Sequence, residues 1–338
     1  MNAVNESINA DLIKPKTRSI MFYACGGTGI NLLRSHREDL VLNPEDQNAN
    51  EHFAYIDTSF ANLHNVQAKD TFTLKGLDGS GSNRPKNAEA IMGVLPQILL
   101  AHEPKDMNVV LFSASGGSGS VAGPLIMEEL LKQGKMAVAI IIGSHETLKR
   151  TTNSIGTLTG LEQAVARVGR PVVMFYAENN PTKSILDNNL VPKFVLGSLG
   201  MLGSGRNKAL DSADIQNMFD FHLVSHNKPG LAMLDVFTKS EDLAKSSARP
   251  IAYISLLTGE DQVGPQVDAD YDKTGYLPGD AGSKNNFFYT VSVDHLSGLF
   301  ERLNKLKSTI ALQKQNQQAT TKLSDASTVT HATGLVFE

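Results

Sequence analysis

The sequence predicts an α/β protein built on a mostly parallel sheet, and three observations predict it. Short apolar runs alternate with longer segments whose apolar residues recur at helical spacing. The runs are apolar throughout rather than at every second residue, as strands covered by helices on both faces require. Strand ends also run into loops of Gly, Ser and Thr at Gly26–Gly29, Gly79–Ser82 and Ser115–Ser120. In parallel sheets the strand exits share one edge, and ligands bind there.

The elements follow in order. Met1 to Thr17 is a polar arm; Ile20–Ala24 is the first strand, and a helix runs from Asn31 to about Leu40. His52–Ile56 is a strand ending at Asp57-Thr58, and Thr71–Leu74 is a short strand before the glycine-rich segment Gly76 to Ser82. Ala88–Ala101 carries Ile91, Val94, Leu95, Ile98 and Leu99 at helical spacing. Strand Asn108–Ser113, helix Pro124–Gln133, strand Met136–Ile142, a helix from about Thr151 to Val168 and strand Pro171–Tyr176 complete the alternation. Ser184 to Leu202 has the length of one helix, which Pro192 would kink or shift. Asp211–Phe219 starts another. Pro250–Leu257 and Asn286–Val293 are strands separated by a long polar loop rich in Gly and Asp. Leu296, Leu299, Phe300, Leu303, Leu306 and Ile310 form a helical stripe, and the chain beyond Gln313 is Gln/Thr/Ser-rich, a composition of disorder. No internal repeat is present.

Bulk properties narrow the function. At 338 residues the chain has room for about two domains of roughly 150 residues. Its 31 basic and 35 acidic residues leave a formal charge of -4, without the basic excess of a nucleic-acid binder. No apolar run reaches the ~20 residues of a membrane span, and the first residues lack the apolar core of a secretory signal. The single cysteine, Cys25, excludes an internal disulfide framework and fits a reducing, cytoplasmic setting. Cys25 itself reads as a small core residue.

The glycine loops carry the chemistry. Ser115-Gly116-Gly117-Ser118-Gly119-Ser120 lies between a strand and a helix. Glycines let backbone N–H groups turn inward on an anion, and the helix N-terminus adds its positive dipole end. One such loop is equally a tight turn without a ligand. Together with Gly26-Gly27-Thr28-Gly29 and Gly79-Ser80-Gly81-Ser82-Asn83-Arg84 at other strand exits, it predicts a nucleotide whose phosphates those loops hold. No lysine follows any of these glycines in Walker fashion, which excludes a P-loop NTPase. A dinucleotide reading stays open: Gly117-x-Gly119-x-x-Ala122 matches the loose fingerprint, with Glu146 as the ribose acid, but it leaves the other two loops unexplained.

These residues resemble a known family. Ser115–Ser120 followed by Val121-Ala122-Gly123-Pro124 is similar to the tubulin/FtsZ signature, with Ser115 and Val121 in place of its first and last glycines. A serine still offers its backbone N–H, so the resemblance implies an altered loop geometry with binding retained. Gly26-Gly27-Thr28-Gly29-Ile30-Asn31 resembles the family's first phosphate loop, and Gly79 to Arg84 the loop that senses the terminal phosphate. Order and spacing agree through most of the chain, and the likeness is greatest to the PhuZ group of tubulin relatives encoded by large bacteriophages.

The resemblance implies a tubulin/FtsZ-like fold: arm 1–17, nucleotide-binding domain 18–183, central helix 184–204, smaller α/β C-terminal (activation) domain 205–293, C-terminal helix 294–313 and tail 314–338. It implies GTP/GDP with Mg²⁺, held by Gly26, Gly27, Thr28, Asn31, Asp57, Gly79, Gly81, Ser82, Asn83 and the residues Ser115, Gly116, Gly117, Ser118, Gly119 and Ser120. Asp187 or Asn188 would read the guanine edge, whose N1–H and N2 donors adenine lacks, and Glu146 and Asn153 would meet the ribose.

Asp211 and Asp214 have a plain reading, since Asp211 caps a helix and Asp214 favours its first turn. Leu210–Ile215 is similar to the family's catalytic loop, which enters the site of the next subunit. The resemblance therefore implies a GTPase activated by polymerisation, in head-to-tail filaments. It also implies that the tail contacts a neighbouring subunit; the tail of the phage relatives is rich in acids, whereas here acids are sparse (Asp325 and Glu338) and Val336-Phe337 offers an apolar anchor instead. Work in the host bacterial cytoplasm, positioning the replicating phage DNA, follows from the same likeness, with neither direct nucleic-acid nor membrane binding. The alternatives are an NAD-type oxidoreductase and a nucleotide-dependent polymer without significant hydrolysis. The nine histidines form no zinc motif. Asp268, Asp270 and Asp272 have calcium-loop spacing, but Lys273 and Gly279 stand where Gly and Glu belong, so no protein metal site is expected there.

Overall fold

A computed structural model of the chain describes residues 18–42, 50–74, 84–278 and 283–320. The arm 1–17, the loop residues Gly79, Gly81, Ser82 and Asn83, and the tail beyond Thr320 lie outside the described residues. The first half alternates as expected: β1 (Ile20–Cys25), α1 (Gly26–Leu42), β2 (Glu51–Asp57), β3 (Thr71–Thr73), α2 (Arg84–Ala101), β4 (Met107–Ser113), α3 (Gly119–Lys132), β5 (Met136–Gly143), α4 (Leu148–Val168) and β6 (Val172–Glu178). The second half holds α5 (Ile185–Gly203), α6 (Ser212–Phe219), β7 (Leu231–Phe237), the short α7 (Ser240–Ala244), β8 (Ala252–Leu257), β9 (Tyr271–Tyr276), β10 (Phe287–Ser292) and α8 (Asp294–Thr320).

Among the described residues, the ten strands join one sheet in the order β3-β2-β1-β4-β5-β6-β7-β10-β8-β9. It is parallel from β3 through β7; β10 runs antiparallel to both β7 and β8, and β8 pairs parallel with β9. The strands on either side of α5 therefore share a ladder, through the pairing of Val172 with Leu231. Alternation along β1 divides the core. Ile20, Phe22 and Ala24 pack toward α1, α5 and α6, whereas Met21, Tyr23 and Cys25 pack toward α2, α3, α4 and α8. Both faces are covered, which is why the strands read as unbroken apolar runs.

Local chemistry sets the helix ends. Thr147 caps α4 by accepting the Arg150 N–H at 3.2 Å, and Gly169, at φ +73, ends it in the left-handed conformation. Between the helices and the sheet, Arg170 reaches the buried Asp220 with Nε 3.1 Å from Oδ1.

The structure departs from the sequence reading in several places. Helices α1 and α3 begin at Gly26 and Gly119, inside segments read as loops, because packing against the sheet overrides the low helix propensity of glycine. Pro124 accordingly sits inside α3 rather than at its first turn, and Pro192 lies within α5. Strand β7 was not expected, and β9 occupies the long polar loop. β9 is an edge strand whose pairing comes from the backbone ladder rather than from an apolar face. Finally, α8 continues past Gln313 to Thr320, through residues with good helix propensity but no apolar stripe.

Candidate functional site

Three adjacent strands, β2, β1 and β4, deliver their exits to one point. There Gly26, at φ +72, meets Gly119 so closely that a β-carbon on Gly26 would lie 2.7 Å from the Gly119 nitrogen. Only glycines allow two backbones this contact. Around it lies a small cleft of about 130 Å³, lined by Gly26, Gly27, Thr28, Asp57, Thr58 and the stretch from Gly116 to Gly119, together with Asn62 and Ser113.

Asp57 forms the floor of the cleft. It is 2% exposed, accepts the Thr58 N–H at 2.7 Å through Oδ1 and the Asn62 amide at 2.5 Å through Oδ2. Thr58 Oγ1 and Ser118 Oγ lie 2.6 Å apart, joining the β2 exit to the β4–α3 loop. Sequence reasoning missed Thr58, Asn62 and Ser113. Thr58 could have been found as a hydroxyl following Asp57 at a strand exit; Asn62, on a single helical turn (Phe60–Leu63), carried no signal. Burial pushes the Cys25 thiol, beneath the cleft, well above its ordinary range, which keeps it neutral and inert.

The Ser115–Ser120 loop is held by its carbonyls. Asn153 Nδ2 donates to Ser115 O at 3.1 Å and Gly116 O at 3.3 Å, and Thr157 Oγ1 donates to Ala114 O at 2.8 Å. The Ser120 hydroxyl donates to Gly116 O at 2.7 Å and Gly117 O at 3.2 Å. With those carbonyls occupied from α3 and α4, the N–H groups of Gly116 and Gly117 have no protein acceptor among the described residues. The first turns of α1 and α3 add unpaired N–H groups and positive dipole ends. This arrangement suits an oxyanion.

The remaining candidates lie elsewhere. Asn153 touches the loop backbone, as above. Glu146 pairs with Arg150 one turn along, and Asn31 is exposed on α1. Asp187 accepts the Ser184 hydroxyl at 2.7 Å at the start of α5. Asn188 folds the preceding loop: its Oδ1 accepts the Asn180 N–H at 2.7 Å and its Nδ2 donates to Asn180 O and Ser184 O at 3.0 Å. None of these five lines the small cleft.

Asp211 and Asp214 form a reciprocal capping box. The Asp214 N–H donates to Asp211 Oδ1 at 2.9 Å and the Asp211 N–H to Asp214 Oδ2 at 3.1 Å. Tyr271 OH donates to Asp214 Oδ1 at 3.0 Å, and Lys273 Nζ stands 3.8 Å from the same oxygen. Burial, reinforced by Asp214, pushes the Tyr271 phenol up to about 12, which keeps it a donor. Arg18 anchors the segment by donating to Leu210 O at 3.2 Å and Asp211 O at 3.1 Å. Arg18 precedes β1, whereas Gly26 follows it, so the acids and the glycine cleft occupy opposite edges of the sheet. At ~3.3 Å per residue, β1 alone separates them by roughly 20 Å.

Among the described residues, no group of three or more His, Cys, Asp or Glu can hold a metal ion. Asp268 and Asp270 are bridged by Arg249, at 3.2 and 3.0 Å, and read as solvated surface. A magnesium ion needs less than a protein cage, since one carboxylate and substrate phosphates suffice. The oxygen set of Asp57, Thr58 and Ser118 fits such a hard cation. No described helix is long and apolar enough to cross a membrane.

Residues 19–170 match the tubulin/FtsZ family, GTPase domain. A phage tubulin-like protein of Pseudomonas phage PhiPA3 is 31% identical over 248 residues, 72% of this chain and 73% of that protein. Two solved structures share the fold over 94% of this chain and 99% of theirs. They are a protofilament of TubZ from bacteriophage PhiKZ (TM-score 0.82, 24% identity) and the phage tubulin PhuZ with GDP (TM-score 0.78, 22% identity).

Proposed function

The chain belongs to the tubulin/FtsZ family, and from that premise we propose that it binds and hydrolyses GTP and assembles head-to-tail into dynamic filaments. One observation carries this reading: the glycine cleft and the acids Asp211 and Asp214 lie at opposite edges of one sheet. A chain whose two half-sites are roughly 20 Å apart cannot join them within itself. Stacking a second copy on the first brings the acids of one onto the cleft of the other, a heterologous contact that repeats without closing.

In that arrangement the unpaired N–H groups of Gly116 and Gly117 and the first turns of α1 and α3 hold the phosphates. Gly79, Gly81, Ser82 and Asn83 belong to the terminal-phosphate loop. Asp57, Thr58 and Ser118 would hold Mg²⁺, whose chemistry is to neutralise charge on the phosphates. Asp211 and Asp214 orient and polarise the attacking water from the neighbouring subunit. The capping box suits them to this role, because each carboxylate is fixed by the other's backbone. Asp187 or Asn188 reads the guanine, with Glu146 and Asn153 toward the ribose; these side chains must exchange present partners for the nucleotide. That the PhiKZ relative is described as a protofilament and the PhuZ relative carries GDP supports the same reading. The domain boundaries are those drawn from the sequence, with α5 as the central helix, and the tail engages a neighbouring subunit. The filaments position phage DNA in the host bacterial cytoplasm.

The test is light scattering with phosphate release on wild type and Asp214→Ala, supplied with GTP, ATP or NAD. GTP alone should support assembly, and the variant should assemble while releasing phosphate at least ~100-fold more slowly. NAD binding without assembly would overturn the reading. Assembly of wild type with negligible phosphate release would leave a polymer that is not a GTPase.

A further inference from the structure

We propose that Arg84 is a positioning residue for the nucleotide's phosphates: it shapes the Ser115–Ser120 loop by fastening the first turn of α3 to α4. The inference rests on that loop's being the phosphate cradle.

The argument begins at Pro124. Inside α3 it has no N–H to give to the carbonyl four residues earlier, which is that of Ser120. Arg84 Nη2, from the start of α2, donates to this carbonyl at 3.3 Å. Nη1 of the same guanidinium donates to Asn153 O, on α4, at 3.4 Å. Ser120 and Asn153 are also the residues whose side chains hold the carbonyls of Ser115, Gly116 and Gly117. One guanidinium therefore links the two supports of the loop. Its planar fork can span two carbonyls in a fixed geometry, which an ammonium group cannot do.

Two further observations point the same way. Gly156, one turn along α4 from Asn153, leaves the space the fork needs, since a β-carbon there would lie 2.6 Å from Nη1. Arg84 also pairs with no carboxylate among the described residues, and its buried Nε has no hydrogen-bond partner. A half-buried cation whose hydrogen bonds go to carbonyls favours an anion nearby, and the first turn of α3 lies between Arg84 and the glycine cleft.

The test measures binding of fluorescent GMP, GDP and GTP to Arg84→Ala, Arg84→Lys and Gly156→Ala. Arg84→Ala should weaken GTP and GDP about tenfold, as expected for loss of one charge-assisted support, and GMP much less. Arg84→Lys should fall between, and Gly156→Ala, whose added β-carbon meets only the movable end of the Arg84 side chain, should reproduce a smaller part of the loss. Guanidinium ions added to Arg84→Ala should restore part of the GTP affinity. Equal weakening of GMP and GTP would mean general loosening and overturn the proposal, as would unchanged GTP binding in both Arg84→Ala and Gly156→Ala. Should Arg84→Ala fail to fold, Arg84→Lys, which keeps the charge but lacks the planar fork, decides by the same comparison of GMP with GTP. If wild type itself binds none of the three, the nucleotide reading beneath the proposal falls instead.

Discussion

Substituting Gly26 by alanine perturbs the point where the two glycine loops touch. Gly26 has φ +72, a conformation that costs an L-residue about 1–2 kcal/mol. Its new β-carbon would lie 2.7 Å from Gly119 N and 2.9 Å from Gly119 Cα, both backbone atoms that no rotamer change can move. Overpacking of this kind adds about 1–3 kcal/mol, for a total of roughly 2–5 kcal/mol. Gly169→Ala separates the two costs, because Gly169 has φ +73 and nothing within 4 Å of the added carbon. It should lose only the conformational ~1–2 kcal/mol. Urea unfolding of both variants measures the difference, and titration with fluorescent GTP measures its consequence. The strain at Gly26 is relieved only by parting the loops, so Gly26→Ala should bind the nucleotide at least ~10-fold more weakly, a change of ~1.4 kcal/mol, while Gly169→Ala binds normally. Equal destabilisation by the two substitutions, with GTP affinity intact in both, would refute the reasoning.

Three further predictions concern stability. Burial against the opposing pull of Arg37 pushes Glu51 from an ordinary carboxyl value up to about 7. Between about pH 4.5 and 7 the folded chain keeps a proton the unfolded chain has lost, so stability falls as pH rises through that window. Glu51→Gln removes this slope and should exceed wild type in denaturant midpoint at pH 8 but not at pH 5; parallel curves would contradict it. His36, which burial lowers to about 4, acts oppositely, with stability lost as pH falls from about 6.5 toward 4. Arg170→Ala strands the 3% exposed Asp220 carboxylate and should cost about 3–5 kcal/mol in urea unfolding, whereas replacing both partners by apolar residues should recover most of it.

Much of the fold was legible because burial leaves a local signature. The strands covered on both faces, from Ile20–Cys25 to Phe287–Ser292, appear as apolar runs, and the three glycine loops appear as composition. Strand β9 did not, because Tyr271–Tyr276 owes its place to a neighbour's backbone, and backbone pairing leaves no mark on side-chain pattern. Asn62 and Arg84 were hidden for a related reason. Asn62, only five residues from Asp57, owes its role to the approach of the Gly27 loop from another strand exit, and Arg84 acts on Ser120 and Asn153, both far away in sequence.

By itself the sequence determined an α/β chain with phosphate-type loops at strand exits and two acids three residues apart at a helix start. Those are properties of short segments, set by periodicity, glycine content and capping chemistry. Only the tertiary structure decided that β2, β1 and β4 are neighbours, so that Asp57, Gly26 and Gly119 meet in one cleft. Only it decided that Arg18 holds the Asp211–Asp214 segment at the far edge of the same sheet. Strand order is set by crossovers and the burial of both sheet faces, which couple distant segments and cannot be read from any one of them.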